Sequence, residues 1–258
     1  MPKQQKDRPL LGSHQKCWLW GRIAVTETLR AGAWPIIELY LADDLRADLL
    51  DEAARMALDL DVAVKVEPAR RLEQLCHSPD HQGYLAKMSE FPYAVVEEVM
   101  AKPQAIGMES LYLVLDRIQD PHNFGAMVRS AEVFGTGAVF IGRDRQVGVT
   151  TAVARSSAGA VNRVPIARAD GLAALAKRLR EAGLALAGAS EKAETPITDF
   201  DFRRPAAVVI GSEAAGLSTA LARECDAMVR IPQHGAIGSL NAAAAAAVIL
   251  YEAQRQRG

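Results

Sequence analysis

Three short runs in this chain, LYLVL (111–115), AVFI (138–141) and AAVVI (206–210), are apolar at every position. A strand with no polar face is buried on both sides, which places it inside a parallel sheet covered by helices rather than at a wetted surface. Helical patterns alternate with the strand runs, as the layering requires. The spacing predicts a helix that follows DPHNFG and runs through Phe134, and helices over GLAALAKRLREAG (171–183) and NAAAAAAVILYEAQRQR (241–257), with further strands at LALAGAS, RVPIAR and AMVRIP. The expected fold class is therefore α/β, a mostly parallel sheet with helices on both faces. Ligands of such sheets bind beyond the carboxyl ends of the strands. That directs attention to three strand exits: DPHNFG after LYLVLD, GSEAAG after AAVVI, and PQHGAIGS after AMVRI.

A smaller alternation precedes this one. GRIAVTETLRAG reads as a helix stopped by Gly32, PIIELYLA and VAVKVE as strands, DLRADLLDEAARMALDL as an amphipathic helix, ARRLEQLC as a helix opened by Pro68, and HQGYLAKMS as a strand. The expected organisation is a flexible basic tail over 1–17, a small α/β unit over 18–92, a linker over 93–110 carrying AKPQAIGMES, and the larger α/β unit over 111–258. With half of its 258 residues apolar, the chain has material for two cores.

Charge and cysteines narrow the classes further. Lys+Arg minus Asp+Glu is 30 − 31 = −1, so a polyanion would be held by local patches and not by a global field. The candidate patch at the start is Lys3, Lys6, Arg8, Lys16 and Arg22. Cys17, Cys76 and Cys225 are odd in number and without metal-ligand spacing, which reads as ordinary thiols in a reducing compartment and no metal site. MPKQQKDRPLLGSHQK has no apolar signal-like core, and no run is long enough to span a membrane, so a cytoplasmic protein is expected.

The exits carry polar groups but no strong nucleophile. GSEAAG lacks the lysine of a phosphate loop and does not fit a nucleophile elbow. Ser239 and Asn241 stand where a long helix begins, and either can serve as its cap. Asn123 stands near a helix start, and Arg129 follows six residues later among small and apolar neighbours, where a buried arginine would need a partner or a ligand. For Asn123 and Arg129 to converge, Asn123 should lie outside the regular helix. A set of Arg, Glu, Ser and amide side chains suits binding a charged substrate and positioning a hydroxyl. It does not suit covalent or metal-dependent hydrolysis.

Taken together, DRIQDPHNFGAMVRSA, GSEAAGL and IPQHGAIGSLN resemble in order and spacing the three motifs of the SpoU (TrmH-type) RNA 2′-O-ribose methyltransferases, and SSAGA at 156–160 resembles a further stretch of that family. LWGRIAVTETLRAG and HQGYLAKM are similar to the small substrate-binding domain of the RlmB-like subgroup, which acts on a guanosine of 23S rRNA. The resemblance implies a SPOUT-type sheet with a C-terminal trefoil knot, a homodimer, and S-adenosyl-L-methionine as cofactor. It implies cofactor contacts at Gly211, Gly216, Ile231 and Leu240 and along Gly188, Ala189 and Ser190. It implies a catalytic set of Arg129, Asn123, Glu213, Ser239 and Asn241, with Arg129 holding the phosphate beside the target ribose and the others orienting it. RNA would be gripped by the small unit, with Arg22, His81 and Gln82 as candidates. The substrate expected is rRNA, with tRNA as the alternative. Two rivals are a non-catalytic RNA-binding or ribosome-assembly factor on the same fold, and a dinucleotide enzyme. The second lacks its G-x-G-x-x-G turn here.

Overall fold

The computed structural model describes residues 10–12, 16–101 and 110–258. Of the expected tail over 1–17, residues 1–9 and 13–15 lie outside the described residues, as do residues 102–109 of the expected linker over 93–110. The end of the expected tail belongs to the small unit instead: Leu11 N–H donates to the Met88 carbonyl at 3.3 Å, and Cys17 is buried with its carbonyl accepting the Met88 N–H at 2.8 Å. The chain divides into two compact units: the described residues up to Pro92 together with Val149–Arg163, and Tyr93–Gly148 together with Val164–Gly258.

In the first unit, β1 (Trp18–Trp20), β2 (Ile36–Ala42), β3 (Ala63–Glu67) and β4 (Tyr84–Met88) form a sheet in the order β1-β4-β2-β3. β2 runs parallel to β3 and antiparallel to β4, and β1 runs antiparallel to β4. The helices α1 (Arg22–Ala31), α2 (Ala47–Asp59) and α3 (Ala69–Cys76) fall where the periodicity places them. Gly32 ends α1 in the left-handed region at φ 60°, its N–H donating to the Thr28 carbonyl, which is the stop that glycine makes cheap. The core includes Leu19, Leu39, Leu41, Trp34, Tyr84, Leu85 and Met88, and the Trp34 indole N–H donates to the Ser89 carbonyl at 2.9 Å.

The segment Val149–Arg163, with α6 (Thr151–Ser156), packs into this unit although it is remote in sequence. Asn162 Nδ2 donates to Thr28 Oγ1 at 3.0 Å, and Arg163 pairs with Glu27 at 2.5 Å. The hydrogen bond from Arg163 holds the Glu27 carboxyl below its usual range. Gly159, at φ 85°, has no room for a side chain: a Cβ there would stand 2.5 Å from Glu27 Cβ. SSAGA is thus a backbone fitted against α1.

In the second unit, β5 (Leu111–Leu115), β6 (Ala138–Ile141), β7 (Ile166–Arg168), β8 (Ala185–Ala189), β9 (Thr195–Pro196), β10 (Ala206–Ile210) and β11 (Ala227–Arg230) form one sheet in the order β7-β6-β5-β10-β8-β11-β9. Every neighbouring pair is parallel. Helices α5 (Pro121–Val133), α7 (Leu172–Glu181), α8 (Thr219–Ala222) and α9 (Ala242–Arg257) accompany it. The wholly apolar runs of β5, β6 and β10 are buried along their whole length. The first part of the expected linker belongs to this unit instead. Ala94 N–H donates to the Ile166 carbonyl at 2.9 Å, and α4 (Val96–Ala101) buries Val96 and Val99 against the sheet. Two buried valines one turn apart tie the segment down where a linker would leave it free. Among the described residues, no helix is long and apolar enough to cross a membrane.

Candidate functional site

The central pair of strands, β5 and β10, delivers two of the three exits side by side. Residues 211–217 leave β10 and fold back on themselves: Gly216 N–H donates to the Ser212 carbonyl at 2.8 Å with Gly216 at φ 60°. The return brings backbone so close that a Cβ on Gly211 would stand 2.2 Å from the Gly216 carbonyl carbon and 2.4 Å from Leu217 N. Only a glycine fits there without displacing main chain. Gly211→Ala is expected to cost on the order of 1–3 kcal/mol by overpacking. A urea midpoint equal to that of the unaltered chain would show that the loop steps aside freely.

The β5 exit pins this loop. Asp116, 5% exposed, accepts the Ser218 N–H at 2.7 Å, and Arg117 donates to the Gly216 carbonyl at 3.0 Å while pairing with Asp116 at 3.2 Å. Arg117 sits at φ 62°, so its backbone is bent to make this reach. Neither residue figured among the sequence candidates. The available signal was Asp116 itself, a carboxylate at the end of a wholly apolar strand and the first letter of the DRIQDPHNFG stretch.

Three of the sequence candidates meet through direct bonds. Asn123 Nδ2 donates to Glu213 Oε1 at 3.0 Å, and Asn241 Nδ2 donates to the same oxygen at 2.5 Å and to Asn123 Oδ1 at 3.1 Å. The Ala242 N–H adds a third donor to Glu213 Oε1 at 3.2 Å. Asn241 Oδ1 meanwhile caps α9 by accepting from Ala243 and Ala244 N–H, so the helix start fixes which way the amide faces. The N-terminal, positive end of the α9 dipole thus lies against the Glu213 carboxylate.

Asn123 departs from the expected placement. It lies inside the first turn of α5, with Asp120 as the cap and Pro121 at the first helical position. Asp120 takes the capping task by accepting the His122 N–H at 2.9 Å, which frees the Asn123 side chain for Glu213. Arg129 also departs from expectation: it is exposed rather than buried among the apolar residues of α5, and it bonds to none of the other candidates. The helix turns roughly 240° between positions 123 and 129 and rises about 9 Å, so the two side chains leave from different faces.

Beyond the ends of β8, β10 and β11, and beside the start of α9, lies a cavity of about 690 Å³. That volume is in the range of small-molecule sites. Ala189, Ser190, Gly211, Gly216, Ile231 and Leu240 line it, as do Glu213, Ser239 and Asn241. Glu191, Lys192 and Gln233 add polar groups that the sequence reading did not select. Gly188 is not at the wall. It lies one layer below, where a Cβ would meet Met228 Sδ at 2.7 Å and Cys225 Sγ at 2.9 Å, so it makes room for the residues under the cavity. Burial, and then Asp226 and Glu224, push the Cys225 thiol up to about 12, which removes it as a nucleophile near neutral pH.

The RNA candidates of the first unit divide. Arg22 is exposed on α1. Gln82 is exposed, and its Oε1 accepts the Arg22 N–H at 3.0 Å, serving the helix start where Gly21 has no side chain to offer. His81 is 8% exposed, and its Nδ1 accepts the Gly83 N–H at 3.0 Å. The imidazole closes a turn inside the unit and is not presented to a polyanion.

Comparison with known proteins adds two family models, two relatives and two solved structures. Residues 110–251 match the family model described as the SpoU rRNA Methylase family, and residues 18–94 match one described as RNA 2′-O ribose methyltransferase substrate binding. An uncharacterized tRNA/rRNA methyltransferase of Mycobacterium sp. strain KMS is 38% identical over 99% of this chain and 81% of its own length. A Bacillus subtilis strain 168 protein, named as a candidate TrmH family tRNA/rRNA methyltransferase, is 30% identical over 95% of this chain and 98% of its own. Among solved structures, the SpoU methyltransferase AviRb of Streptomyces viridochromogenes in complex with AdoMet superposes with a TM-score of 0.77 at 28% identity, over 94% of this chain and 91% of that one. An AdoMet-bound rRNA methyltransferase of Sinorhizobium meliloti gives 0.79 at 25% identity, over 93% and 87%.

Proposed function

The chain belongs to the SpoU rRNA methylase family, and from that premise we propose that it transfers a methyl group from S-adenosyl-L-methionine to a ribose 2′-oxygen of RNA, with a guanosine of 23S rRNA as first choice of substrate and tRNA as second. The observation that carries the reading is the meeting of Asn123, Glu213 and Asn241 at a cavity built from strand exits far apart in the chain. A non-catalytic assembly factor would have no use for three donors converging on one carboxylate beside a cavity of cofactor size.

The residues fit the cofactor. Gly211 lets the 211–217 loop fold back on itself at the cavity wall, Ile231 and Leu240 offer apolar surface for an adenine ring, and Ser190, Glu191 and Gln233 offer partners for polar groups. S-adenosyl-L-methionine, when bound, supplies an activated methyl on a sulfonium. Protein groups do the rest. The Asn123–Glu213–Asn241 cluster fixes the mouth of the site, and in-line transfer depends on such positioning. Ser239 stands beside it at the cavity wall. Arg129 holds the phosphate next to the acceptor ribose and favours departure of the 2′-hydroxyl proton by its positive charge, since a guanidinium is too weak a base to take that proton itself.

A homodimer is part of the same proposal. Val133, Val248 and Tyr251 are exposed on α5 and α9, with Phe134 and Tyr251 in edge-on contact at 6.1 Å, and an apolar face of this kind suits a self-complementary interface. The trefoil knot and a cytoplasmic site of action, where these RNAs and the cofactor are found, belong to it too. The decisive experiment is calorimetric titration with S-adenosyl-L-methionine, followed by mapping of 2′-O-methyl sites in rRNA and tRNA from cells with and without the protein. One missing ribose methyl in the deletion strain is the expected result. Methyl transfer to a base, or no binding of the cofactor, would defeat the reading.

A further inference from the structure

Outside the methyl-transfer site, the first unit holds a cavity of about 370 Å³ whose wall includes Trp20, Ile23, Ser78, Asp80, Gln82 and Arg155. Arg155 reaches it from α6, the segment that packs into this unit from far along the chain. Its guanidinium carbon lies 3.4 Å from the centre of the Trp20 ring, a stacking contact. Its Nη1 is buried and has no hydrogen-bond partner among the described residues. Among the described residues no carboxylate pairs with it in an ion pair, and burial pushes its affinity for the proton down from the ordinary arginine value. A half-buried guanidinium without acceptors is costly unless something else supplies them.

The surroundings say what kind of molecule would. A phosphate alone is disfavoured, because Asp80 stands at the same cavity with an exposed carboxylate. The wall therefore offers donors from Arg155, an acceptor from Asp80, and a flat aromatic and guanidinium surface beside the exposed Ile23. Gln82 has its Oε1 engaged by the Arg22 N–H, which leaves its amide N–H groups as donors. A planar ligand with acceptors on one edge and donors on the next matches this set. Guanine is such a ligand: O6 and N7 accept from arginine, and N1–H and the 2-amino group donate to a carboxylate. Adenine presents a donor where guanine presents O6. Unpaired RNA bases are commonly read in this way, stacked on an aromatic or guanidinium plane and bonded along their edges.

We propose that this cavity is a base-reading pocket for one unpaired guanine of the RNA substrate, with the base stacked beside the Trp20–Arg155 pair, Arg155 donating to O6 and N7, and Asp80 accepting from N1–H and the 2-amino group. The proposal rests on the reading of the chain as an RNA methyltransferase and gives its first unit a specific task. It also explains why the SSAGA-bearing segment is fitted so tightly against α1: that packing sets Arg155 on Trp20.

The test uses the full chain and labelled single-stranded 7-mers of uridine carrying one central guanosine, adenosine or abasic residue, read by fluorescence anisotropy. The guanosine 7-mer is expected to bind about tenfold more tightly than the other two. Asp80→Asn and Arg155→Lys are expected to erase that preference. The Asp80 side chain is exposed, so Asp80→Asn folds normally even if Arg155→Lys loosens α6. Equal binding of all three RNAs, or a guanosine preference that survives in Asp80→Asn, overturns the proposal. S-adenosyl-L-methionine binding, titrated on the same samples, reports separately on the methyltransferase reading. A protein that binds the cofactor but shows no base preference loses only the pocket.

Discussion

Arg129→Ala is expected to lower methyl transfer by roughly 10²- to 10⁴-fold, the range for removing a group that stabilises charge in a transition state, while cofactor affinity stays within about twofold of the unaltered chain. Arg129 lies on the open face of α5 and bonds to no other part of its chain among the described residues, so its removal should change stability by no more than about 0.5 kcal/mol. A large fall in turnover would then come from lost contact with RNA and not from misfolding. Arg129→Lys keeps the charge but loses the flat two-pronged donor that fits a phosphate, and should recover only part of the rate. Single-turnover measurement with saturating RNA checks both. A rate for Arg129→Ala within twofold of the original would remove this residue from the mechanism.

The second large effect is expected at Glu213. Its Oε1 collects donors from Asn123, Asn241 and the Ala242 backbone, so one oxygen ties α5, the 211–217 loop and the start of α9 together. Glu213→Ala should weaken cofactor binding and transfer together, each by about 10- to 100-fold, as expected where a shared polar network positions a site. Adding Asn123→Ala should cost little more, because the two side chains act through one bond. Strictly multiplicative losses in the double variant would show that they act independently. Asn241→Ala differs in kind: it also removes the α9 cap, for about 0.5–2 kcal/mol of stability, so its thermal midpoint should fall as well.

The parallel sheet and its helices were legible because apolar strands and period-3.6 helices write their burial directly into the sequence. Leu111–Leu115, Ala206–Ile210 and the Gly32 stop of α1 are examples. The short elements were not. β1 and β9 have three and two residues, too few for a period, and α4 falls where a proline and a glycine nearby suggested a linker. At the site, side-chain type pointed to Asn123, Glu213 and Asn241, yet the assignment of capping between Asp120 and Asn123 depended on geometry. His81 and Gly188 show the same limit. A histidine in a loop reads as available until its Nδ1 is found closing a turn, and a glycine near a strand end reads as ligand-facing until its neighbours fill the space.

By itself the sequence determined where the longer strands and helices lie, that the main sheet is buried on both faces, and which polar residues stand at strand exits. Hydrophobic period and residue chemistry are local properties, and they need no knowledge of what lies opposite. Only the tertiary structure decided that β10 enters between β5 and β8, that Asp116 anchors the 211–217 loop, and that residues 149–163 carry Arg155 onto Trp20. Those are choices among distant partners. They turn on which surfaces fill space together, and no run of neighbouring residues encodes that.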